Sequence, residues 1–366
     1  MAQANSTARS GLPPSDGVTV AALVLLGTRF VQGFIFWGGA SRRLVYDYHD
    51  IAGVDQAVKM DFDAAGFVAA KLTHALPGAL WVQAPLEWTL RHPDLILASV
   101  WLWTLAELGV GLGLMFGLAT RLAAFTSIWL NVALMVIFGW MGSTCLDEWT
   151  MAVSGVAMSC AVFLAGSGAW SLDERFVGPT RWARRNAWTN WIFSGPLPTE
   201  TLRKLGLGLG LACVLFTVVT YQILFGAVVS PLHSRVNFHR HSIALSVPAV
   251  GADGAVRFEA YVDSGPDTGA AYIVAARLID GTGHVAAQWD GAALAALPAA
   301  SIQNAYPYVW ASRFKTEAIG FSGQTGARAI ITLPSPAARP VAAGAGYTLL
   351  LEAIDGSKWR TRAPGG

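Results

Sequence analysis

Five long apolar segments constrain the fold of this 366-residue chain more than any other feature. Each is long enough to cross the hydrocarbon core of a bilayer as a helix, which needs about 20 mainly apolar residues. Only 13% of the residues are charged, whereas soluble domains carry about a quarter. We therefore predict a multi-pass membrane protein. The predicted spans are Val18–Trp37, Leu95–Gly117, Leu122–Trp140, Met151–Trp170 and Leu205–Val229.

Basic residues predict the orientation, because short cytoplasmic connections carry an excess of Lys and Arg. The connection after the fourth span contains Arg175, Arg181, Arg184, Arg185, Arg203 and Lys204. It should therefore be cytoplasmic, whereas the hairpin between the third and fourth spans has no Lys or Arg and should lie outside. We expect a bacterial inner-membrane protein with a cytoplasmic N-terminus, and we expect the chain after residue 229 to be periplasmic.

After residue 231 the pattern changes from long apolar runs to short alternating segments. Residues 256–262 alternate apolar and polar side chains, which is the period of a half-buried strand. Asp-Gly pairs at 280–281 and 355–356 predict two hairpins. Roughly seven such strands predict a small β-sandwich. The predicted fold is an α-helical bundle of four transmembrane helices plus a fifth helix leading to a C-terminal exported β-sandwich.

Four polar residues interrupt the apolar spans, where ionisable groups are costly unless they are paired. Arg29 and Glu107 are each about halfway along antiparallel spans, which predicts an ion pair between them. Gln32 and Asn131 would complete its hydrogen bonds. Two interpretations stay open: the cluster locks the helices together, or it forms a proton path or a quinone headgroup site.

The hairpin GSTCLDEWTM, residues 142–151, carries a thiol and two carboxylates that a simple connector does not need. We predict that Cys145, Asp147 and Glu148 are catalytic, with the carboxylates supplying protons. Trp149, in the same hairpin, is predicted to bind substrate. The alternatives are a small buried cysteine and carboxylates that stabilise the positive end of the next helix.

The 40–94 connection is too apolar for a disordered linker, so we predict short interfacial helices within it. Arg42 and Arg43 lie on the side where the positive-inside rule disfavours them, which predicts an anion-binding site. Contact with lipid headgroups is the alternative. His74 can titrate near neutral pH, so it is a candidate for substrate binding and proton transfer, although packing is the commoner role.

These motifs together resemble the thiosulfate:quinone oxidoreductase family of the DoxX-like group, with a DoxD-type membrane subunit joined to a DoxA-type subunit. The DoxD resemblance covers about residues 20–176. It rests on RFVQGFIFWGGASRR (29–43), HALPG (74–78), GLATRLAA (117–124) and the 142–151 hairpin. Residues from about 200 onward, including YPYVWASRFK (306–315), are similar to DoxA.

The predicted spans and this resemblance together divide the chain into five parts. Residues 1–17 are a cytoplasmic tail, 18–176 a DoxD-like four-helix transmembrane domain containing the 40–94 connection, 177–204 a basic cytoplasmic connection, 205–229 the fifth transmembrane helix, and 230–366 a DoxA-like periplasmic β-sandwich.

The resemblance implies an enzyme, a thiosulfate dehydrogenase that oxidises two thiosulfate ions to tetrathionate and passes the electrons to membrane quinone. Arg42 and Arg43 would bind the dianion and lower the pKa of the Cys145 thiol. Whether Cys145 forms a covalent adduct or only shapes the pocket stays open. The sequence has no motif for a bound haem, flavin, iron–sulfur cluster or other metal, so quinone is the expected electron acceptor.

Two other functions remain in competition with this one. The first is another DoxX-like, quinone-linked sulfur redox protein, and the second is a non-catalytic membrane scaffold that recruits an exported partner. The expected partners are thiosulfate, quinone and the lipid bilayer, with no nucleic acid. Assembly into a homo-oligomer is left open.

Overall fold

The computed structural model describes residues 20–44, 62–141, 147–168, 170–226, 229–236, 238–266, 268–308, 311–335 and 346–361. The chain divides into two compact units, each described below by itself. Unit 1 comprises Met1–Val45, Trp103–Val132 and Ala152–Val218. Unit 2 comprises Tyr46–Leu102, Ala133–Met151 and Val219–Gly366.

Long helices dominate the first part of the chain. The helices are α1 Leu26–Leu44, α2 Phe62–Ala75, α3 Gln83–Leu90, α4 Pro93–Phe116, α5 Thr120–Phe138, α6 Asp147–Ala165, α7 Arg181–Arg185, α8 Thr189–Ile192, α9 Thr199–Phe225 and α10 Gly291–Ala295. A 3₁₀ turn, Leu76–Gly78, follows α2, and a π-helical turn, Asp173–Val177, precedes α7.

Among the described residues, four helices are long and apolar enough to cross a membrane. These spans are Pro93–Phe116, Thr120–Phe138, Glu148–Ala165 and Thr199–Phe225. They confirm four of the five predicted spans, with ends shifted by a few residues. The chain is therefore a multi-pass membrane protein.

Helix α1 corresponds to the first predicted span, but it runs further along the chain than predicted. It is less apolar than the other four because it contains Arg29, Arg42 and Arg43. Its large apolar side chains, such as Phe30 and Phe34, are exposed, whereas Arg29 is buried. Apolar side chains outside and polar ones inside are typical of a helix surrounded by lipid.

Glycines bring α1 and α4 into close antiparallel contact within unit 1. A Cβ atom on Gly33 would lie 2.8 Å from the Met115 nitrogen, and one on Gly111 would lie 2.7 Å from the Trp37 nitrogen. Neither helix has room for a side chain there. The core of this unit is built from buried apolar residues: Phe36, Val110, Leu114, Ala123, Ala124, Leu130 and Val162.

The C-terminal region of unit 2 consists of antiparallel sheets. The strands are β1 Ser242–Leu245, β2 Ala249–Val250, β3 Val256–Ser264, β4 Ala270–Ile279, β5 Val285–Trp289, β6 Ile302–Asn304, β7 Phe314–Thr316, β8 Phe321–Gln324, β9 Arg328–Leu333, β10 Thr348–Ala353 and β11 Lys358–Arg360. One sheet has the order β1-β3-β9-β6, with β2 beside β3, and the other has the order β11-β10-β4-β8-β7, with β5 beside β4.

Residues from both sheets share one hydrophobic core, which makes the arrangement sandwich-like. Phe258 and Ile331 come from the first sheet, and Leu278, Phe321 and Leu351 from the second. The apolar residues of the predicted strand at 256–262 point into this core, as predicted. The two predicted hairpins also occur, as the pairs β4–β5 and β10–β11. We call residues 238–361 the β-domain.

The 40–94 connection and the β-domain share a second hydrophobic core within unit 2. Its buried members are Ala69, Leu76, Leu90, Ile96, Val100, Tyr306, Tyr308 and Ala311. The first five belong to helices α2 to α4 and the 3₁₀ turn, and the last three to the β-domain. Burial of apolar surface therefore holds the connection and the sheets together.

Candidate functional site

A buried ion pair joins α1 to α4 in unit 1. Arg43 and Glu107 form this pair, and their side chains are only 15% and 11% exposed. Arg43 Nε also donates a hydrogen bond to Thr104 Oγ1 at 2.8 Å. Trp103 Nε1 donates to Glu107 Oε1 at 2.7 Å. This arrangement holds a carboxylate and a guanidinium in fixed positions, and Glu107 belongs to a candidate membrane span, α4.

A pair of glycines in α1 shapes the surroundings of this ion pair. A Cβ atom on Gly39 would lie 3.1 Å from Glu107 Oε2, whereas one on Gly38 would meet no atom within 4 Å. The Gly38 carbonyl accepts a hydrogen bond from Arg42 Nε at 2.9 Å, and the Arg42 side chain is otherwise exposed. Both arginines occupy the last turn of α1, where positive charge is favoured by the helix dipole.

The predicted ion pair between Arg29 and Glu107 is wrong. Arg29 Nη1 donates to the Ser167 carbonyl at 2.9 Å, and Nη2 donates to the Trp170 carbonyl at 2.8 Å. The prediction failed because it misjudged how α1 and α4 align: a Cβ atom on Gly39 would lie 3.1 Å from Glu107 Oε2, so Glu107 is level with the end of α1. Arg29 lies nearer the other end of α1, beside Gly117, and it binds carbonyl groups that follow α6.

Gln32 and Asn131 were predicted to support that pair, and this prediction is also wrong. Gln32 Nε2 donates to Ser127 Oγ at 3.1 Å, and Asn131 Nδ2 donates to the Ser127 carbonyl at 2.8 Å. Ser127 Oγ is 2.7 Å from Ser159 Oγ. These residues form a separate buried polar cluster that links α1, α5 and α6.

The two serines of this cluster were missed by the sequence prediction. Their hydroxyls both donate and accept hydrogen bonds, so they can join the amides into one network. A signal was present in the sequence, since Ser127 and Asn131 are four residues apart and so share one face of α5. Ser159 has no comparable local signal.

The structure describes only part of the 142–151 hairpin. Cys145 lies outside the described residues, and so does the side chain of Asp147. Glu148 is in the first turn of α6, as the alternative of helix-dipole stabilisation requires. Trp149 Nε1 donates to Thr220 Oγ1 at 3.0 Å, and its ring contacts Tyr221 edge-on at 5.2 Å. Trp149 therefore anchors the start of α6 to the end of α9.

His74 is buried in unit 2, at the end of α2. Its Nδ1 atom is 3.4 Å from Ser312 Oγ of the β-domain. Beside it, Trp140 Nε1 donates to the Ala75 carbonyl at 2.8 Å. The HALPG segment and the YPYVWASRFK segment, quoted separately above, thus meet at His74 and Ser312. Sequence reasoning did not predict this contact.

A second contact between the 40–94 connection and the β-domain is an ion pair between Glu87 and Arg328. Glu87 Oε1 accepts hydrogen bonds from Arg91 and Arg328, both at 2.7 Å. The Arg328 guanidinium lies over the ring of Tyr261, 4.3 Å from its centre. The hydrogen bond to Glu87 raises the pKa of Arg91, and burial raises the pKa of Tyr306 to about 12. The tyrosine hydroxyl therefore stays protonated at neutral pH.

The structure distributes the predicted site residues over both units. Arg42, Arg43 and Glu107 cluster in unit 1, which also holds Arg29 and the polar cluster at Ser127. His74, Glu148 and Trp149 belong to unit 2. Within the part of the chain that the structure describes, no three His, Cys, Asp or Glu side chains come together in a way that could hold a metal ion.

Sequence comparisons match both parts of the chain to families. Residues 28–199 match the family described as TQO small subunit DoxD, and residues 225–362 match the family described as TQO small subunit DoxA. The first match includes the ion pair, the polar cluster and the hairpin, and the second includes the strands of the β-domain. No solved structure matches the chain.

Proposed function

Because this chain belongs to the families of thiosulfate:quinone oxidoreductase (TQO) small subunits, with a DoxD part and a DoxA part in one polypeptide, we propose that it oxidises thiosulfate and reduces membrane quinone. Two thiosulfate ions lose two electrons and join through a new sulfur–sulfur bond as tetrathionate. Quinone takes up the two electrons and two protons to give quinol. We propose that thiosulfate is oxidised at the periplasmic face of a bacterial inner membrane.

The buried pair of Arg43 and Glu107 is the observation that best supports this proposal. Ionisable groups within membrane helices are rare and usually serve substrate or proton pathways. Quinone is apolar and reaches its site from the bilayer, so its reduction needs a proton donor at membrane depth. In this proposal Glu107 relays the two protons in turn: its carboxylate takes each proton from water and passes it to the reduced quinone, and Arg43 and Trp103 hold it in position.

Arg42 is proposed to bind thiosulfate, because its guanidinium is exposed beside the buried pair. A guanidinium is planar and offers several donors to an oxyanion, whereas Arg43 is already engaged by Glu107. The roles of Cys145, Asp147, Glu148, His74 and Trp149 stay predictions. A Cys145→Ser variant tests the covalent route, because full activity in that variant would eliminate it.

The decisive experiment is an assay of the purified full-length protein with thiosulfate and a soluble quinone analogue. Tetrathionate and quinol should appear in equal amounts. Arg42→Gln should raise the KM for thiosulfate about tenfold, the effect of losing one charge-assisted hydrogen bond. Arg181→Gln, which removes an exposed arginine from α7, is the matched control and should leave KM unchanged.

Other outcomes point to the competing functions. Quinone reduction that does not respond to thiosulfate would indicate a different quinone-linked sulfur redox protein. Absence of turnover together with a stable complex on pull-down would indicate a scaffold. An unchanged KM in Arg42→Gln would remove this residue from the thiosulfate site.

A further inference from the structure

A cavity of about 490 Å³ lies in unit 1, within the connection between α6 and α9. Its lining includes Asp173, Glu174, Arg184, Arg185, Asn190 and Phe193. Helices α6 and α9 are both candidate membrane spans, so the connection between them lies at a membrane surface. None of these residues has a part in the proposed redox reaction.

Buried charged groups fix the walls of this cavity. Arg121 Nη1 donates to the carbonyls of Asn190 and Gly195, both at 2.5 Å. The Asp173 carboxylate accepts from the backbone nitrogen and hydroxyl of Thr120 and from the hydroxyl of Ser194. Because it also faces the positive end of α5, its negative charge is compensated within the protein. The cavity is therefore preformed.

Two exposed arginines give the cavity an unused positive charge. Among the residues that the structure describes, the Arg185 guanidinium has no hydrogen-bond or ion-pair partner. Arg184 donates one hydrogen bond to the Pro179 carbonyl. The remaining carboxylate in the lining, Glu174, is exposed and solvated. An anion would therefore meet two guanidinium groups and one solvent-screened carboxylate.

Large exposed aromatic side chains surround the same segment. Trp182, Trp188 and Trp191 are 50%, 51% and 44% exposed, and Phe176 is 64% exposed. Trp182 and Trp188 contact each other edge-on at 5.4 Å. Tryptophan is enriched where a membrane meets water, because its ring is apolar and its N–H is polar. The surface thus offers apolar contacts for acyl chains beside cationic groups for a headgroup.

From this combination we propose that the cavity binds the phosphate headgroup of an anionic phospholipid. Arg184 and Arg185 contact the phosphate, and the tryptophans contact the glycerol and the first carbons of the acyl chains. A free oxyanion would use the arginines but would leave the aromatic surface exposed. The lipid would fix the connection against the membrane, independently of any redox reaction.

Native mass spectrometry of the full-length protein in detergent tests this proposal. Phosphatidylglycerol should bind, and phosphatidylcholine should bind much more weakly. Each arginine should contribute about fivefold to the affinity, so R184Q/R185Q should reduce it about 25-fold. R181Q removes a third exposed arginine of α7, outside the cavity lining, and should change the affinity by less than about twofold.

Three results would overturn the proposal. Equal binding of the two lipids to the unmodified protein would show that the headgroup is not recognised, and this test needs no variant. A loss of affinity in R181Q of about fivefold, the effect expected for Arg184 or Arg185 alone, would show general attraction to a basic surface. Displacement of phosphatidylglycerol by an equal concentration of inorganic phosphate would identify a site for a soluble anion instead.

Discussion

Three arginines of α1 have three different environments, which separates their roles. Arg29 binds backbone carbonyls, Arg43 pairs with Glu107, and Arg42 is mostly exposed. A buried cation that loses its charged partner is destabilising, because the remaining charge stays desolvated. Removal of the Glu107 carboxylate should therefore leave Arg43 as an unpaired buried charge, and it should have little effect on Arg29 and Arg42.

Glu107→Gln should lower the free energy of unfolding by about 3 kcal/mol, because it leaves Arg43 without a charged partner. Arg43→Gln should have a similar effect. The double variant should lose much less than the sum of the two, since it leaves no unpaired buried charge. Denaturant unfolding in detergent measures all three values, and strict additivity would contradict a direct energetic coupling.

His241 gives the β-domain a predicted pH dependence. Burial lowers its pKa, and the nearby Asp355 opposes this shift only in part. The folded state thus favours neutral His241, whereas the unfolded chain binds a proton near pH 6.5. Stability should therefore fall as the pH drops through about 6.5, and this loss should level off below the lowered pKa.

His241→Gln should remove this loss, because a neutral amide does not titrate. The measurement is the unfolding temperature between pH 8 and pH 5 for both proteins. The pKa values of three carboxylates, Asp280, Glu317 and Asp355, are lowered. Their protonation therefore changes the stability of the protein only in more acidic solution, below this pH range. Equal slopes in the two proteins would exclude His241 as the cause.

At the scale of helices and strands, local patterns predicted much of the fold. Hydropathy located four spans to within a few residues, and Asp-Gly pairs located two hairpins, because both signals depend on neighbouring residues. Side-chain partners were not predictable in this way. Similar depth suggested that Arg29 meets Glu107, but hydropathy does not determine how two helices align, and Glu107 lies level with Gly39 instead.

The contact between α1 and α4 gives a prediction at this scale. Gly33→Ala should lower the free energy of unfolding by about 1–3 kcal/mol, the usual cost of overpacking. Gly38→Ala is the matched control in the same helix, where an added Cβ meets no atom within 4 Å. The control should be neutral or stabilising by about 0.5–1 kcal/mol. Thermal unfolding in detergent compares them, and equal effects would contradict the close contact.

At the scale of the whole molecule, the family matches and the compact units divide the chain differently. Residues 62–102 fall within the DoxD match, yet they belong to the same unit as the β-domain. Their contact through His74 and Ser312 joins residues 238 positions apart. No local pattern encodes such a contact. The β-domain therefore covers apolar residues of the 40–94 connection, which accounts for the amount of apolar sequence there.

Two glycines of the β-domain can test this contact. Gly326 and Gly356 have φ angles of +84° and +83°, so alanine is strained at both, by about 1–2 kcal/mol. A Cβ atom on Gly326 would also overlap the Thr73 carbonyl and lie 3.2 Å from the His74 Cα atom. One on Gly356 would meet no atom within 4 Å.

Gly326→Ala should therefore destabilise the protein by about 1–3 kcal/mol more than Gly356→Ala does, because only the first forces the sheets away from α2. Because backbone strain is common to both variants, the difference between their losses of stability measures the effect of the contact alone. Unfolding temperatures give the comparison, and thiosulfate-dependent turnover adds a second measurement. If His74 takes part in the reaction, turnover should fall only in Gly326→Ala. Equal stability losses would mean that the β-domain folds without support from the 40–94 connection.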